Sequence, residues 1–297
     1  MELRVLQYFL AVAREQSISA AAQSLHLSQP TLSTQLKTME QQLGKQLFIR
    51  GTKGSRKVTL TEEGKILQKR AEEILELVQK TENEILLADQ LVAGDICIGL
   101  AETQVFRLFA KAAGQLQEKY PNIHYHLFSG NAMYVLEQLD KGLIDFGLVY
   151  GTVDASRYES IRMPIRDSWG VLLRKDAPLA QKKSICPEDL WEQPLIISNQ
   201  KSDDRPLEKW FKKDFSRLNI VATYNLLFNA TLLTSEGLGY TLCLDRLVDT
   251  AGSGNLCFRP LTPSLETEAY LIWKKYPVFS KAAEKFLEQL RLIIQNI

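Results

Sequence analysis

The stretch SAAAQSLHLSQPTLSTQLKTMEQQLG, Ser19 to Gly44, decides how the chain begins. Its run of three alanines lets two helices approach closely. The break around Ser28 and Pro30 lets the second helix turn sharply across the first, as in a helix-turn-helix. Ser19 is placed to cap a helix over residues 20–25, and Ser28 to cap the next. Pro30 is tolerated in that helix's first turn, where its missing N–H would have had no partner. Beyond it Leu32, Leu36, Met39 and Leu43 step by four, three and four, which predicts a buried stripe. Gln29, Ser33 and Lys37 form a polar stripe, with Thr31 and Thr34 nearby, and Gly44 ends the helix.

Upstream, Leu3, Leu6, Leu10 and Ala13 share one helical face with Phe9 beside them. Downstream, KQLFIRGTKGSRKVTLT, Lys45 to Thr61, reads as two short strands around a basic tip, a wing. Residues 1–60 hold eight Lys/Arg against three acids, although the net charge of the whole chain is +1. A basic head on a slightly acidic body suits a polyanion-binding module joined to something else. Thr61 is placed to cap a further helix, with Glu62 and Glu63 complementing its dipole. That helix reads without a breaker to about residue 92, roughly 48 Å at 1.5 Å per residue. Leu67, Ala71, Ile74, Val78, Thr81, Ile85 and Ala88 alternate spacings of four and three, a coiled-coil seam that a second copy would cover. Leu67, Ile74, Val78 and Ile85 are the expected dimer contacts.

Past Gly94 the period changes. GDICIGL, HYHLFSG, DFGLVYG, WGVLLRK, PLIISNQ, IVATYNL and YTLCLDR read as strands, with helical patterns such as VFRLFAKAAGQLQEKY and AMYVLEQLDKGLI between them. This alternation predicts a mostly parallel sheet covered by helices on both faces, large enough for two subdomains across a cleft. The chain holds 45% hydrophobic and 24% charged residues and lacks an apolar run near 18 residues, so no membrane span is expected. The amphipathic start reads as a folded helix and not as a signal peptide, which points to a cytoplasmic protein.

Cys97, Cys186, Cys243 and Cys257 are widely spaced and form no CxxC. Small buried hydrophobes are the plain reading, and a redox sensor built on two of them is the alternative. His124 and His126 fall on one face of a strand, two metal ligands without a third at useful spacing, so no metal is expected. A Gly-rich phosphate loop, GxSxG and HExxH are absent from the sequence, and neither an enzyme nor a resident cofactor is expected.

These residues resemble the LysR-type transcriptional regulators of bacteria. The resemblance rests on LQYFLAVAREQSISAAAQSLHLSQPTLSTQLKTMEQQLGKQLFIR and VTLTEEG, with GLIDFGLV and SEGLGYTL further on. It implies a multidomain α plus α/β chain, with a winged helix-turn-helix at 1–60, a dimerising linker helix at 61–92 and an effector-binding region at 93–297. That region would resemble periplasmic solute-binding proteins, with subdomain I at 93–161 and 268–297 and subdomain II at 162–267. The chain would cross between them near residues 161 and 267. One departure is GYTLCLD, where family members often carry a proline.

The same resemblance implies double-stranded DNA as partner, read by Gln29, Pro30, Thr31, Ser33, Thr34 and Lys37 in the major groove. Arg50, Lys53 and Arg56 would meet phosphate at the wing. It implies a homodimer or homotetramer, a small-molecule co-inducer, and RNA polymerase as a further partner. Strand ends followed by helices supply the effector candidates: Glu102 and Thr103, Ser129 and Asn131, Ser198 and Asn199, Asn229 and Thr231. Glu102 suits an anionic effector only by pointing away; otherwise it suits an amine. A solute-binding protein of a transporter is the competing class, contradicted by the basic head.

Overall fold

The computed structural model describes residues 1–50, 57–87, 92–199, 206–252 and 254–297. The chain divides into two compact units, Met1–Leu86 and Leu87–Ile297.

The first unit opens with α1 (Leu3–Glu15), α2 (Ile18–Ser24) and α3 (Gln29–Leu43). Ser17, not Ser19, caps α2, accepting from Ala20 N. Gln16 takes a left-handed backbone (φ 49), which starts α2 two residues earlier than the sequence suggests. Ala21 and Ala22 are buried where α2 meets its neighbours. Ser28 caps α3 through Thr31 N at 3.2 Å, and Gly44 ends it in the left-handed region. Leu32, Leu36 and Met39 are buried as expected, whereas Leu43, in the last turn, is exposed.

The wing strands β1 (Phe48–Arg50) and β2 (Val58–Leu60) pair antiparallel. Glu40 on α3 accepts from Leu47 N and Phe48 N, and Phe9 packs on Phe48 with ring centroids 5.1 Å apart. These contacts join the wing to the helices. Thr61 caps α4 (Glu62–Leu87) through Gly64 N at 2.9 Å. The early part of the seam serves this unit's own core. Ala71 is fully buried there, and Leu67 and Leu75 pack against the same cluster. Leu67, placed in the dimer seam from its spacing, is thus partly buried against the head's own core. The same packing places the head and the start of α4 in one compact unit.

In the second unit, β3 (Gly94–Leu100) pairs parallel with β4 (Ile123–Ser129) and β5 (Phe146–Tyr150). Helices α5 (Phe106–Lys119) and α9 (Lys281–Gln295) cover one face of this lobe, and α6 (Ala132–Lys141) the other. A second lobe pairs β7 (Leu195–Ser198) parallel with β8 (Ile220–Tyr224) and β9 (Tyr240–Leu244). Its helices are α7 (Pro206–Phe211) and α8 (Leu227–Ser235). β9 is regular, so GYTLCLD follows an ordinary strand path.

The 17-residue strand β6 (Tyr158–Arg174) belongs to both lobes. Tyr158 to Ser168 pair antiparallel with β11 (Glu266–Lys274). From Trp169 onward β6 pairs instead with β9 and with β10 (Leu256–Pro260). The change of partner in β6 thus falls between Ser168 and Trp169, and the chain passes from β10 to β11 between Pro260 and Glu266. The body is accordingly mixed where a mostly parallel sheet was expected, because the crossing strands run antiparallel to the βαβ units beside them. The charged positions of β6 hid its first half from sequence reading. Arg162 and Arg166 point away from the core and pair with Glu266 and Glu268 on β11.

Gly64 provides the check on the first unit. A Cβ there would lie 2.2 Å from the Leu47 carbonyl oxygen, itself bonded to Thr61 N. Gly64→Ala is expected to lower the unit's stability by about 1–3 kcal/mol through overpacking. Denaturant unfolding followed by circular dichroism reads the loss.

Candidate functional site

On α3 the buried stripe fixes which side chains remain outside. Gln29, Pro30, Thr31, Thr34, Gln35, Lys37 and Thr38 are exposed, whereas Ser33 lies beside Leu32 and Leu36 and is half-buried. The open face is therefore rotated toward Thr31, Thr34, Gln35 and Thr38, away from the Gln29–Ser33–Lys37 stripe read from the sequence. Gln29 Oε1 accepts from Ser19 Oγ at 3.0 Å, which orients the amide from α2. Thr34 and Thr38 hydroxyls donate to Pro30 O and Thr34 O one turn back, leaving their methyl groups and lone pairs outward. Arg50 closes β1 at the base of the wing. Lys53 and Arg56 lie outside the described residues. On α4, Ile74 and Ile85 are 36% and 69% exposed and Leu77 42%, an apolar stripe beyond the part that packs on the head.

In the second unit the turn after β3 is organised by a residue the sequence reading missed. Asp167 on β6 is buried and accepts from Thr103 Oγ1 at 2.6 Å, Tyr150 OH at 2.7 Å and Gln104 N at 3.3 Å. A sequence signal existed. Ile161, Met163, Ile165, Asp167, Trp169, Val171 and Leu173 alternate along one register, placing a carboxylate among apolar positions. Burial, and then the charge of Asp167, push the Tyr150 hydroxyl well above its ordinary range, so it stays a donor. Trp169, at the passage between lobes, buries Nε1 without a hydrogen-bond partner.

The effector candidates divide accordingly. The Thr103 hydroxyl is buried, donates to Asp167 and accepts from Val105 N at 2.9 Å, which holds the turn after β3. Thr231 is buried and donates to Phe228 O. Asn131 Oδ1 caps α6 through Tyr134 N. Glu102 Oε2 accepts from Leu227 N at 2.5 Å, reaching from the first lobe to the start of α8 in the second. Ser129, Asn199 and Asn229 stand exposed at the ends of β4 and β7 and on α8, and Ser198 is half-buried at the end of β7. Backbone bonds tie these ends together in pairs, Gly130 N to Leu100 O and Asn199 N to Tyr224 O.

Residues 3–65 match the family described as bacterial regulatory helix-turn-helix protein, lysR family. Residues 89–292 match the LysR substrate binding domain. The chain belongs to the LysR family of bacterial transcriptional regulators. It is 30% identical over 281 residues to the Hca operon transcriptional activator HcaR of Escherichia coli (strain K12), covering 93% of this chain and 92% of that one. The regulator BsdA of Bacillus subtilis (strain 168) is 37% identical over 145 residues, 49% of each chain. The full-length CbnR structure in complex with its target DNA shares the fold at TM-score 0.79 and 21% identity, over 99% of this chain and 100% of that one. Full-length BenM follows at TM-score 0.54 and 25% identity, over 100% of this chain and 97% of that one.

This LysR-family protein is a DNA-binding transcriptional regulator and not an enzyme. No helix among the described residues is long and apolar enough to cross a membrane. None of the four cysteines is in a disulfide. Burial pushes Cys243 up to about 12, and the hydrogen bond to Asp189 pushes Cys186 up, the reverse of what a reactive thiolate needs. Asp95 on β3 comes within 3.2 Å of His126 and 4.0 Å of His124, a polar cluster open to solvent. Among the described residues no group of three such side chains is arranged to hold a metal.

Two outcomes follow for the Asp167 cluster. Asp167→Ala leaves buried donors unpaired and is expected to cost about 1–3 kcal/mol or more, read as a fall in thermal midpoint. A raised Tyr150 pKa means the folded state keeps a proton that the unfolded state releases above about pH 10. That contribution is complete below pH 10 and is lost as pH rises beyond it. Tyr150→Phe should therefore flatten the alkaline decline of stability, measured by urea midpoints at pH 8 and above pH 10.

Proposed function

We propose that this regulator binds paired operator half-sites as a dimer, reading sequence with the first turn of α3 and answering to a small molecule between the lobes of its body. The observation that carries the reading is the capped, rigidly packed α3, whose polar face stays open while Leu32, Leu36 and Met39 fix its orientation. The Gln29 amide, oriented by Ser19, suits bidentate pairing with a base edge; Thr31 and Thr34 suit apolar and hydroxyl contacts; Lys37 suits phosphate. Arg50 at the wing is assigned to phosphate on the same chemistry.

The apolar stripe of Ile74, Leu77, Val78 and Ile85 is the seam for a second copy, and two such dimers would form a tetramer. Ser129, Ser198, Asn199 and Asn229, at the strand ends, offer hydroxyl and amide groups to an effector, whose binding would shift the arrangement of the lobes by differential affinity. A cytoplasmic location, with RNA polymerase as the downstream partner, fits a DNA-bound regulator. Genome-wide mapping of binding sites tests the whole reading, since enriched promoters with two-fold symmetric half-sites are required by it.

At residue level, Gln29→Ala should cost about 1–3 kcal/mol on the operator and much less on random duplex. Lys37→Ala should weaken both alike and flatten the salt dependence by about one unit of slope. Titration of each variant against operator and scrambled DNA at several salt concentrations separates the roles, and equal losses for Gln29→Ala would make it a backbone contact.

For the seam, Ile74→Asp with Val78→Asp would place charges in an apolar interface at a cost of several kcal/mol. Sedimentation should then give smaller species, with operator affinity collapsing alongside; unchanged mass would place the dimer contact elsewhere.

A further inference from the structure

Helix α8 begins without a cap of its own. Its N-cap is Leu226, which offers no side-chain hydrogen bond, and its first turn holds no acid. A helix start of this kind leaves N–H groups unpaired and a partial positive charge exposed. The chain supplies the missing acceptor from 125 residues away, where Glu102 Oε2 takes the Leu227 N–H at 2.5 Å. Two residues on, Gln104 Nε2 donates to Arg246 O at 2.5 Å, in a turn where Arg246 itself adopts a left-handed backbone (φ 59). Both bonds run from the first lobe to the second.

Neither donor nor acceptor is loosely held. Asp167 accepts from Gln104 N and Thr103 Oγ1, so the turn carrying Glu102 and Gln104 is anchored to β6. Arg107 Nε donates to Gln104 Oε1, which leaves the Gln104 amide nitrogen aimed at Arg246. The lobes are also joined through β6 and through the return between β10 and β11. A rotation about those strands would break the Glu102 and Gln104 bonds and leave the rest of each lobe intact.

We propose that Glu102 and Gln104 form an internal latch that holds the two lobes of the regulatory body together with no ligand present. In this device a chain carboxylate occupies the α8 N-terminus, so the resting arrangement of the body is set from within. The latch also gives Glu102 a role other than effector contact, and it stands on the geometry of the body alone, independent of how the effector or the operator is read.

Hydrogen exchange measured by mass spectrometry on the full chain, without DNA or effector, tests it. Glu102→Ala should speed exchange of the Leu227 to Asn229 amides by about tenfold, as expected for losing a helix cap. Because a latch couples its ends, exchange should also rise around Gln104 and Arg246, while β3 and β7 stay as protected as in the native protein. Glu102→Gln, which keeps an acceptor without the charge, should fall between the two. Gln104→Ala should loosen the start of α8 from the opposite end. Faster exchange confined to α8 would reduce Glu102 to a local cap and overturn the latch. Unaltered exchange, or a rise spread evenly over both lobes, would overturn it as well. Operator affinity of the same variants, measured in parallel, reports on the DNA reading separately.

Discussion

The regulatory body depends on one strand that serves two sheets. β6 pairs with β11 as far as Ser168 and with β9 and β10 from Trp169. A strand can change partners in this way only if its side chains satisfy two cores in succession, and the register from Ile161 to Leu173 does so with alternating apolar residues. The one charged member of that register, Asp167, sits next to the change of partner. Its carboxylate is buried, and the donors that face it come from Thr103, Gln104 and Tyr150 on neighbouring elements. Burying a carboxylate is tolerable because those donors replace water. The same bonds fix the turn after β3, so the geometry of that turn is tied to the place where β6 changes partner.

A comparable economy governs the first unit. Glu40 is a polar residue inside the α3 pattern, yet its carboxylate is what ties the wing to the helices. Gly64 lets α4 start against the Leu47 carbonyl, and Ala71 then lies in the core that Phe9 and Leu36 share. The helix that leaves the head is thus seated by three small or polar residues before its exposed seam begins.

The thiols and imidazoles carry no comparable burden. The shifts at Cys186 and Cys243 run against thiolate formation. His124, His126 and Asp95 cluster on strand positions open to solvent.

Local pattern determined much of this protein. Helix spacing, the SQP turn and Gly44 fixed the helix-turn-helix, because caps and buried stripes are settled within a few residues. The βα alternation likewise announced the strands that run parallel in each lobe. Tertiary structure decided what spacing could not. Ser33 turned half inward and Leu67 packed on the head because a helix face is assigned by its neighbours and not by its own period. The first half of β6, with Arg162, Pro164 and Arg166, is not among the segments that read as strands, and β11 supplies Glu266 and Glu268 opposite its arginines. Thr103 and Glu102 looked alike as cleft residues, yet one is committed to Asp167 and the other to α8. Hydrogen-bond partners 64 and 125 residues distant made that difference, and no local signal carries information over such a separation.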